Sequence, residues 1–344
     1  MPSLSLGADM QRREFMTLFD GDPAVWHNGE RALQALTGKR EAMERRGRVV
    51  LRDHMPDQHR LFFSERNQLF LAALDASGQP WATLVEGDAG FVTSPSPGLL
   101  AVAAILPASD PASEAFDDGV PVGVLGLEFE TRRRNRVNGE IRYVPGAAGF
   151  SIEVAQSFGN CPQYIQERRL VSVESTRDGS LPGPVRRTAT IADDDVALIR
   201  HADTFFIASR SLMPGAARSE GLDVSHRGGR PGFVHIEKQH HLIFPDYRGN
   251  YFFNTLGNLH AEPRCGLLFV DFLTGTTLQI AGRGTMVHDP EALKSWPNAE
   301  RAVVIEINAV VRSERRSRTR FEFVGFAPQF DRFETPAERE DQTS

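Results

Sequence analysis

The sequence is poor in the features that define most specialised classes. Its two cysteines, Cys161 and Cys265, in 344 residues are too few for a disulfide framework and suit a reducing compartment. Basic charge is not in excess: a net charge of −6 leaves no electrostatic footprint for nucleic acid. No apolar run approaches a membrane span, and Met1 to Arg13 has no apolar core of the signal-peptide kind. These absences set the expectation of a cytoplasmic protein that binds neither nucleic acid nor membrane. Also missing are a GxGxxG dinucleotide fingerprint, a GxxxxGK[ST] phosphate loop and a GxSxG nucleophile elbow. His240-His241 has no Cys or carboxylate at metal-ligand spacing, so no metal is expected there.

What is present is ordinary globular material, 40% hydrophobic and 24% charged. The length predicts two domains. Leu33, Leu36 and Met43 recur at helical spacing within Glu30 to Arg46, ending near Gly47, and a second helix is predicted from Asp57 to Arg66 after Pro56. Short strands follow. Leu69 to Ala73 leads through Asp75-Ala-Ser-Gly78 into Trp81 to Val85, a hairpin signal. Further strands are predicted at 90–93, 99–104, 122–128, 137–144 and 150–155. Many short strands at close spacing argue for small β-barrels rather than a parallel sheet.

An internal repeat organises the rest. Pro121 to Phe129 aligns with Arg264 to Phe272, and the same register sets Gly139 opposite Gly282. Upstream, Gly90-Phe-Val92 matches Gly232-Phe-Val234, Trp81 to Val85 falls opposite Asp223 to Arg227, and Phe70 to Ala73 matches Phe206 to Ser209. The second copy has a longer turn, Ser211 to Gly221. The order agrees throughout, so two copies of one barrel are predicted. The expected division is helices plus a first barrel at 1–172, a Gly/Pro/Ser-rich linker at 173–190, a second barrel at 191–333 and a disordered tail at 334–344. Asp193-Asp-Asp195 should open a helix, acidic residues being favourable at its N-terminus.

The most distinctive stretch is Asp246-Tyr-Arg-Gly-Asn-Tyr-Phe-Phe-Asn-Thr-Leu-Gly-Asn-Leu259. Asp246 to Asn250 carry turn chemistry, Tyr251 to Phe253 are β-formers, and Asn254 to Asn258 form a second break. That break is either a polar hairpin loop or a place where backbone N–H groups converge on a phosphate.

The second copy resembles the FMN-binding split-barrel proteins related to pyridoxamine 5′-phosphate oxidase. The resemblance is carried by Phe206-Ile-Ala-Ser209, Asp223-Val-Ser-His-Arg-Gly-Gly-Arg-Pro-Gly-Phe-Val234, Pro245 to Asn250, Asn254 to Leu259 and Gly266 to Gly282. The first copy is similar to tandem members through Trp81 to Leu84, Gly90 to Val92, Thr131 to Gly139 and Ser157 to Gln166. The resemblance implies a mainly β (α+β) fold of two tandem antiparallel, Greek-key split barrels with flanking helices, forming a homodimer. It also implies flavin mononucleotide (FMN) in a groove between barrels. Carried over, Thr255 and Asn258 would meet the phosphate while Asn254 and Gly257 shape the turn. Ser225, His226, Arg227 and Gly228 would lie beside the ring or ribityl chain. Many relatives place an Arg-Lys pair after the threonine, whereas here Leu256 and Gly257 intervene. Phosphate charge would then come from Arg227, Arg248, Arg264 or the Arg132 to Arg136 run, within which Arg134 and Arg136 are candidates.

The copies differ at the expected phosphate loop. Opposite Asn254 to Asn258 stand Pro111 to Ala115, in a loop that also carries Asp110, Asp117 and Asp118. So many carboxylates repel phosphate, and the first barrel is expected to be a structural partner or site wall. The implied activity is a flavin-dependent oxidoreductase acting on a small-molecule substrate or electron acceptor, with His226 the acid–base candidate. Two alternatives remain: a haem-binding or haem-degrading split barrel using His226, His235, His240 or His241, and a non-catalytic flavin carrier or sensor. Cys161 reads as a structural thiol, because no base lies near it in sequence.

Overall fold

The computed structural model describes residues 24–143, 149–174, 183–211, 217–288 and 290–332. The expected tail, the first 23 residues, Val144 and residues 212–216 of the long Ser211 to Gly221 turn lie outside them. Three helices come first: α1 (Asn28–Leu36), α2 (Arg40–Val50) and α3 (Asp57–Ser64). The single helix predicted over Glu30 to Arg46 is therefore two. Gly38, at φ +66, takes the left-handed turn that ends the first. A reciprocal cap starts α1: His27 Nδ1 accepts from Gly29 N–H, and the Glu30 carboxylate accepts from His27 N–H.

Seven strands build the first sheet: β1 (Gln68–Leu74), β2 (Pro80–Glu86), β3 (Val92–Ser96), β4 (Leu99–Val102), β5 (Pro121–Glu128), β6 (Arg133–Arg142) and β7 (Phe150–Gly159). Between the two sheets in sequence come β8 (Glu167–Val173), β9 (Val185–Thr188) and α4 (Asp193–His201). The second sheet contains β10 (Thr204–Arg210), β11 (Leu222–Gly228), β12 (His235–Glu237), β13 (His241–Tyr247), β14 (Arg264–Val270), β15 (Thr277–Val287) and β16 (Ala299–Ser313). Two helices interrupt it, α5 (Asn254–Ala261) and the short α6 (Pro290–Leu293), and β17 (Thr319–Gly325) closes the chain.

Strand order in the first sheet is β2-β1-β5-β6-β7-β4-β3; in the second it is β11-β10-β14-β15-β16-β13-β12. These are the same path through equivalent strands, all antiparallel. The molecule is thus mainly β, with two open split-barrel sheets and flanking helices. Detail agrees with the aligned sequences. The register shifts beside Gly139 in one sheet and beside Gly282 in the other. A Cβ at Gly139 would sit 1.9 Å from the Glu153 carbonyl oxygen, and at Gly282 2.3 Å from that of Glu306, so each bulge needs glycine. Gly90 and Gly232 both take positive φ, +87 and +86.

Each sheet has its own apolar cluster, and a third lies between them. In that third cluster the aligned residues Phe70 and Phe206 stack with ring centroids 3.5 Å apart, as at a twofold axis. The stretch expected to be a linker contains a strand of the second sheet. Within it, β9 pairs with β16 and so extends the second sheet. The neighbouring β8 pairs with β17 in a two-stranded ribbon. Among the described residues, no helix is long and apolar enough to cross a membrane.

Candidate functional site

An open cleft with about 110 Å³ of interior space lies where β6 of the first sheet meets β11 and the start of α5. Strand alternation explains how β6 contributes. Arg134 and Arg136 are two residues apart and share a face, and both line the cleft. Arg132 and Arg133 belong elsewhere: one binds the Ile165 carbonyl and Glu167, the other the Gln58 carbonyl. Ser225, His226, Arg227 and Gly228 come from β11, and Asn254, Thr255 and Leu256 from α5.

The stretch predicted as a strand end and loop is a helix start. Tyr251 and Phe253, expected as β-formers, are in no strand and adopt φ of +63 and +62. Phe253 delivers the chain into α5, and no side chain caps that helix. Its first N–H groups and the positive end of its dipole therefore bear on the cleft uncompensated. Two left-handed aromatic residues in sequence order are strained backbone at a site edge.

Arg136 is fully engaged. It donates to the Val224 carbonyl at 3.0 Å, to Asn254 Oδ1 at 3.0 Å and to Ser225 Oγ, and sits 3.1 Å from Asp223. It joins the first sheet to the second and fixes the polar side chains at the start of α5. The Thr255 hydroxyl donates to Ser225 Oγ at 2.7 Å, and Asn254 Nδ2 donates to Glu30 Oε1 at 2.7 Å. Burial raises the Glu30 carboxyl to about 8 despite its hydrogen bonds to Ser219 and Asn254, so it is protonated at neutral pH.

Arg134 differs. Its Nε donates to the Cys161 carbonyl at 3.0 Å, and its Nη1 lies 3.3 Å from His226 Nδ1. Among the described residues no carboxylate pairs with it. Burial, and then Arg136 and Arg227, lower it to about 9, which still leaves a cation at neutral pH. Among the described residues, the buried Arg227 Nε has no partner, and its guanidinium comes within 4.0 Å of Asp246. Burial raises the Asp246 carboxyl, although Arg227 and Arg301 oppose this.

His226 is buried, and burial followed by Arg134, Arg168 and Arg227 holds it well below 6.5. It is neutral. Because a guanidinium only donates, Nδ1 is the acceptor and Nε2 carries the proton. Among the described residues that N–H has no partner. Opposite stand Tyr164 and Tyr247, stacked at 5.2 Å, with the Tyr164 hydroxyl donating to the Arg248 carbonyl at 2.9 Å. Burial lifts both phenols to about 12. The cleft therefore offers more N–H donors than acceptors, beside a flat aromatic wall.

Four sequence candidates lie outside the lining. Asn258 is buried one turn along α5, its amide donating to Ser209 Oγ at 3.0 Å. A rise of about 1.5 Å per residue puts it roughly 6 Å down the axis from Asn254. Gly257 faces α1 instead: a Cβ there would meet Glu30 Cγ at 2.5 Å. Arg264 is paired with Glu262 at 3.0 Å. The Arg248 guanidinium lies 5.7 Å over the Tyr251 ring. Of the haem-ligand candidates, His226 alone lines the cleft, and His235 packs on Trp296 at 4.2 Å. Sequence reasoning missed Glu30, Tyr164 and Tyr247. Glu30 is separated from Asn254 by 224 residues, and no local pattern signals such a contact. Cys161 does line the cleft. Among the described residues no group of three or more His, Cys, Asp or Glu could hold a metal ion.

Comparison with known proteins finds a family-model match within the second half. Residues 192–329 match the family model described as Pyridoxamine 5′-phosphate oxidase. A search of curated proteins found no match. Similar solved structures include the HupZ protein of Group A Streptococcus, at 13% identity and TM-score 0.28, covering 35% of this chain and 91% of that one. The FAD binding protein from Mycobacterium smegmatis is 10% identical with a TM-score of 0.26, over 37% of this chain and 98% of its own. General Stress Protein 26 from Bacillus anthracis is 13% identical with a TM-score of 0.24, over 38% and 95%.

Proposed function

We propose, from the match of residues 192–329 to the family model described as Pyridoxamine 5′-phosphate oxidase, that this protein binds FMN in the inter-sheet cleft and is a flavin-dependent oxidoreductase. The observation that carries the reading is the convergence of Arg134, which has no carboxylate partner among the described residues, with the partnerless Arg227 Nε and His226 Nε2–H and the uncapped start of α5. Buried donors without acceptors are costly, and a phosphate at a helix N-terminus beside arginines satisfies them together. Arg134 and Arg227 would hold the anion, with Arg136 orienting Ser225 and Asn254. Tyr164 and Tyr247 would bound the ring side and exclude water. When bound, FMN supplies reversible electron transfer to a small-molecule substrate or acceptor. His226 would donate one hydrogen bond from Nε2, and its neutral state makes it a poor proton source. The reading includes two copies of one ancestral barrel with the phosphate on the second, and a homodimer, which light scattering tests.

The haem alternative ranks lower. Coordination through His226 Nε2 requires that nitrogen to lose its proton. The remaining proton would then sit on Nδ1, against the Arg134 N–H at 3.3 Å. A flavin carrier without turnover is distinguished by the absence of reductant-dependent bleaching and reoxidation. The test of binding is a flavin-fluorescence titration. Arg134→Ala with Arg227→Ala should weaken FMN at least about 100-fold, two charge-assisted contacts being lost. Unchanged affinity would remove the phosphate from this cleft.

A further inference from the structure

The repeat that builds the cleft also builds a counterpart on the other side of the molecule. In register, Arg136 corresponds to Gln279, Val224 to Ala82 and Ser225 to Thr83. The hydrogen bonds repeat too. Arg136 Nε donates to the Val224 carbonyl at 3.0 Å, and Gln279 Nε2 donates to the Ala82 carbonyl at 3.1 Å. Where the second copy has the uncapped start of α5, the first has a loop ending in a single turn at Ser113–Ala115.

In this counterpart the acceptor comes from the chain itself. Asp110 is buried, 4% exposed. Its carboxylate accepts from the Thr83 hydroxyl, from Ala112 N–H at 3.0 Å and from Gln279 Nε2 at 3.4 Å, and the Arg316 guanidinium lies 4.0 Å away. A hydroxyl, a backbone N–H, an amide and an arginine around one carboxylate form a complete oxyanion shell. The flanking chain seals it. Arg316 donates to the Leu84 carbonyl at 2.7 Å, and Glu86 accepts from Ser317 Oγ and Arg318 N–H, each at 2.7 Å. Leu84 and Glu86 are the counterparts of His226 and Gly228, which line the cleft.

We propose that the molecule contains a second anion-binding position, related to the cleft by the internal repeat and occupied by the Asp110 carboxylate. Truncating Asp110 should empty that position for a small external oxyanion of the carboxylate or phosphate class. The equivalence rests on reading the cleft as an anion site; the shell around Asp110 does not. Self-occupation leaves one ligand site per chain.

The test needs no flavin. Melting temperature is measured for the wild type and Asp110→Ala in sodium formate, inorganic phosphate and chloride at matched ionic strength. Asp110→Ala should melt about 5 °C lower in chloride, since it leaves several buried donors unpaired. Formate or phosphate should recover much of the loss, beyond any shift of the wild type. Asp110→Asn keeps the position filled and should gain nothing from formate beyond the wild type. Identical salt responses of the wild type and Asp110→Ala would overturn the proposal. If Asp110→Ala does not fold in chloride, refolding yield replaces melting: recovery in formate but not chloride supports it, and recovery in neither overturns it. Failure of FMN to bind the wild type would sink the proposed function and leave this comparison readable.

Discussion

Arg134 is a half-buried cation with no carboxylate partner among the described residues, a state that costs the folded protein free energy. Its removal therefore separates binding from folding. Arg134→Gln should leave the melting temperature of the flavin-free protein unchanged or raise it, while FMN affinity falls about 10- to 100-fold. Calorimetry beside fluorescence titration checks both; a loss of stability equal to the loss of binding would make Arg134 a structural residue. Glu30 gives a pH dependence. Its folded carboxyl titrates near 8 against an ordinary 4.5, so the folded state holds a proton that the unfolded state releases. Its stabilisation is complete below about pH 4.5 and is lost as pH rises to about 8. The slope is up to about 1.4 kcal/mol per pH unit. Glu30→Gln should flatten that slope in urea unfolding between about pH 5 and 8; an unchanged slope would assign the titration to another group.

At the scale of elements, the cleft depends on how α1 seats α5. Gly29 and Gly257 let the two helices touch backbone to backbone, and a Cβ on Gly29 would lie 2.0 Å from the Gly257 carbonyl oxygen. Gly29→Ala should cost about 1–3 kcal/mol by overpacking, and it should weaken FMN through the Glu30–Asn254 contact. Denaturant unfolding and titration measure the two effects, and normal binding in a destabilised variant would uncouple α1 from the site. This contact was not legible in the sequence, because each glycine reads locally as a turn signal. The strands were legible: two short apolar runs around Asp75-Ala-Ser-Gly78 read as a hairpin, and β1 does pair with β2, Leu69 opposite Val85. The start of α5 misled, since Asn, Thr and Gly favour loops and the helix forms without a cap. Once it is helical, Asn254 and Thr255 reach the cleft, and Gly257 and Asn258 do not.

At the scale of the molecule, the repeat explains both what the sequence revealed and what it hid. Aligned glycines at 139 and 282 mark equivalent bulges, so the shared strand order could be read from one chain. The cleft itself could not. Arg134 and Arg136 come from the first half and Ser225 to Gly228 from the second, and sequence cannot say which faces of two sheets meet. The twofold-like packing of Phe70 on Phe206 sets that meeting. The two counterpart positions nevertheless differ in their residues, one lined by arginines and the other filled by Asp110. The most direct test is the visible spectrum of freshly purified protein, with the released chromophore identified and counted per chain. A flavin spectrum, FMN on release and a ratio near one is the expected result. A Soret band, a ratio near two, or a colourless protein that takes up no added FMN would contradict it.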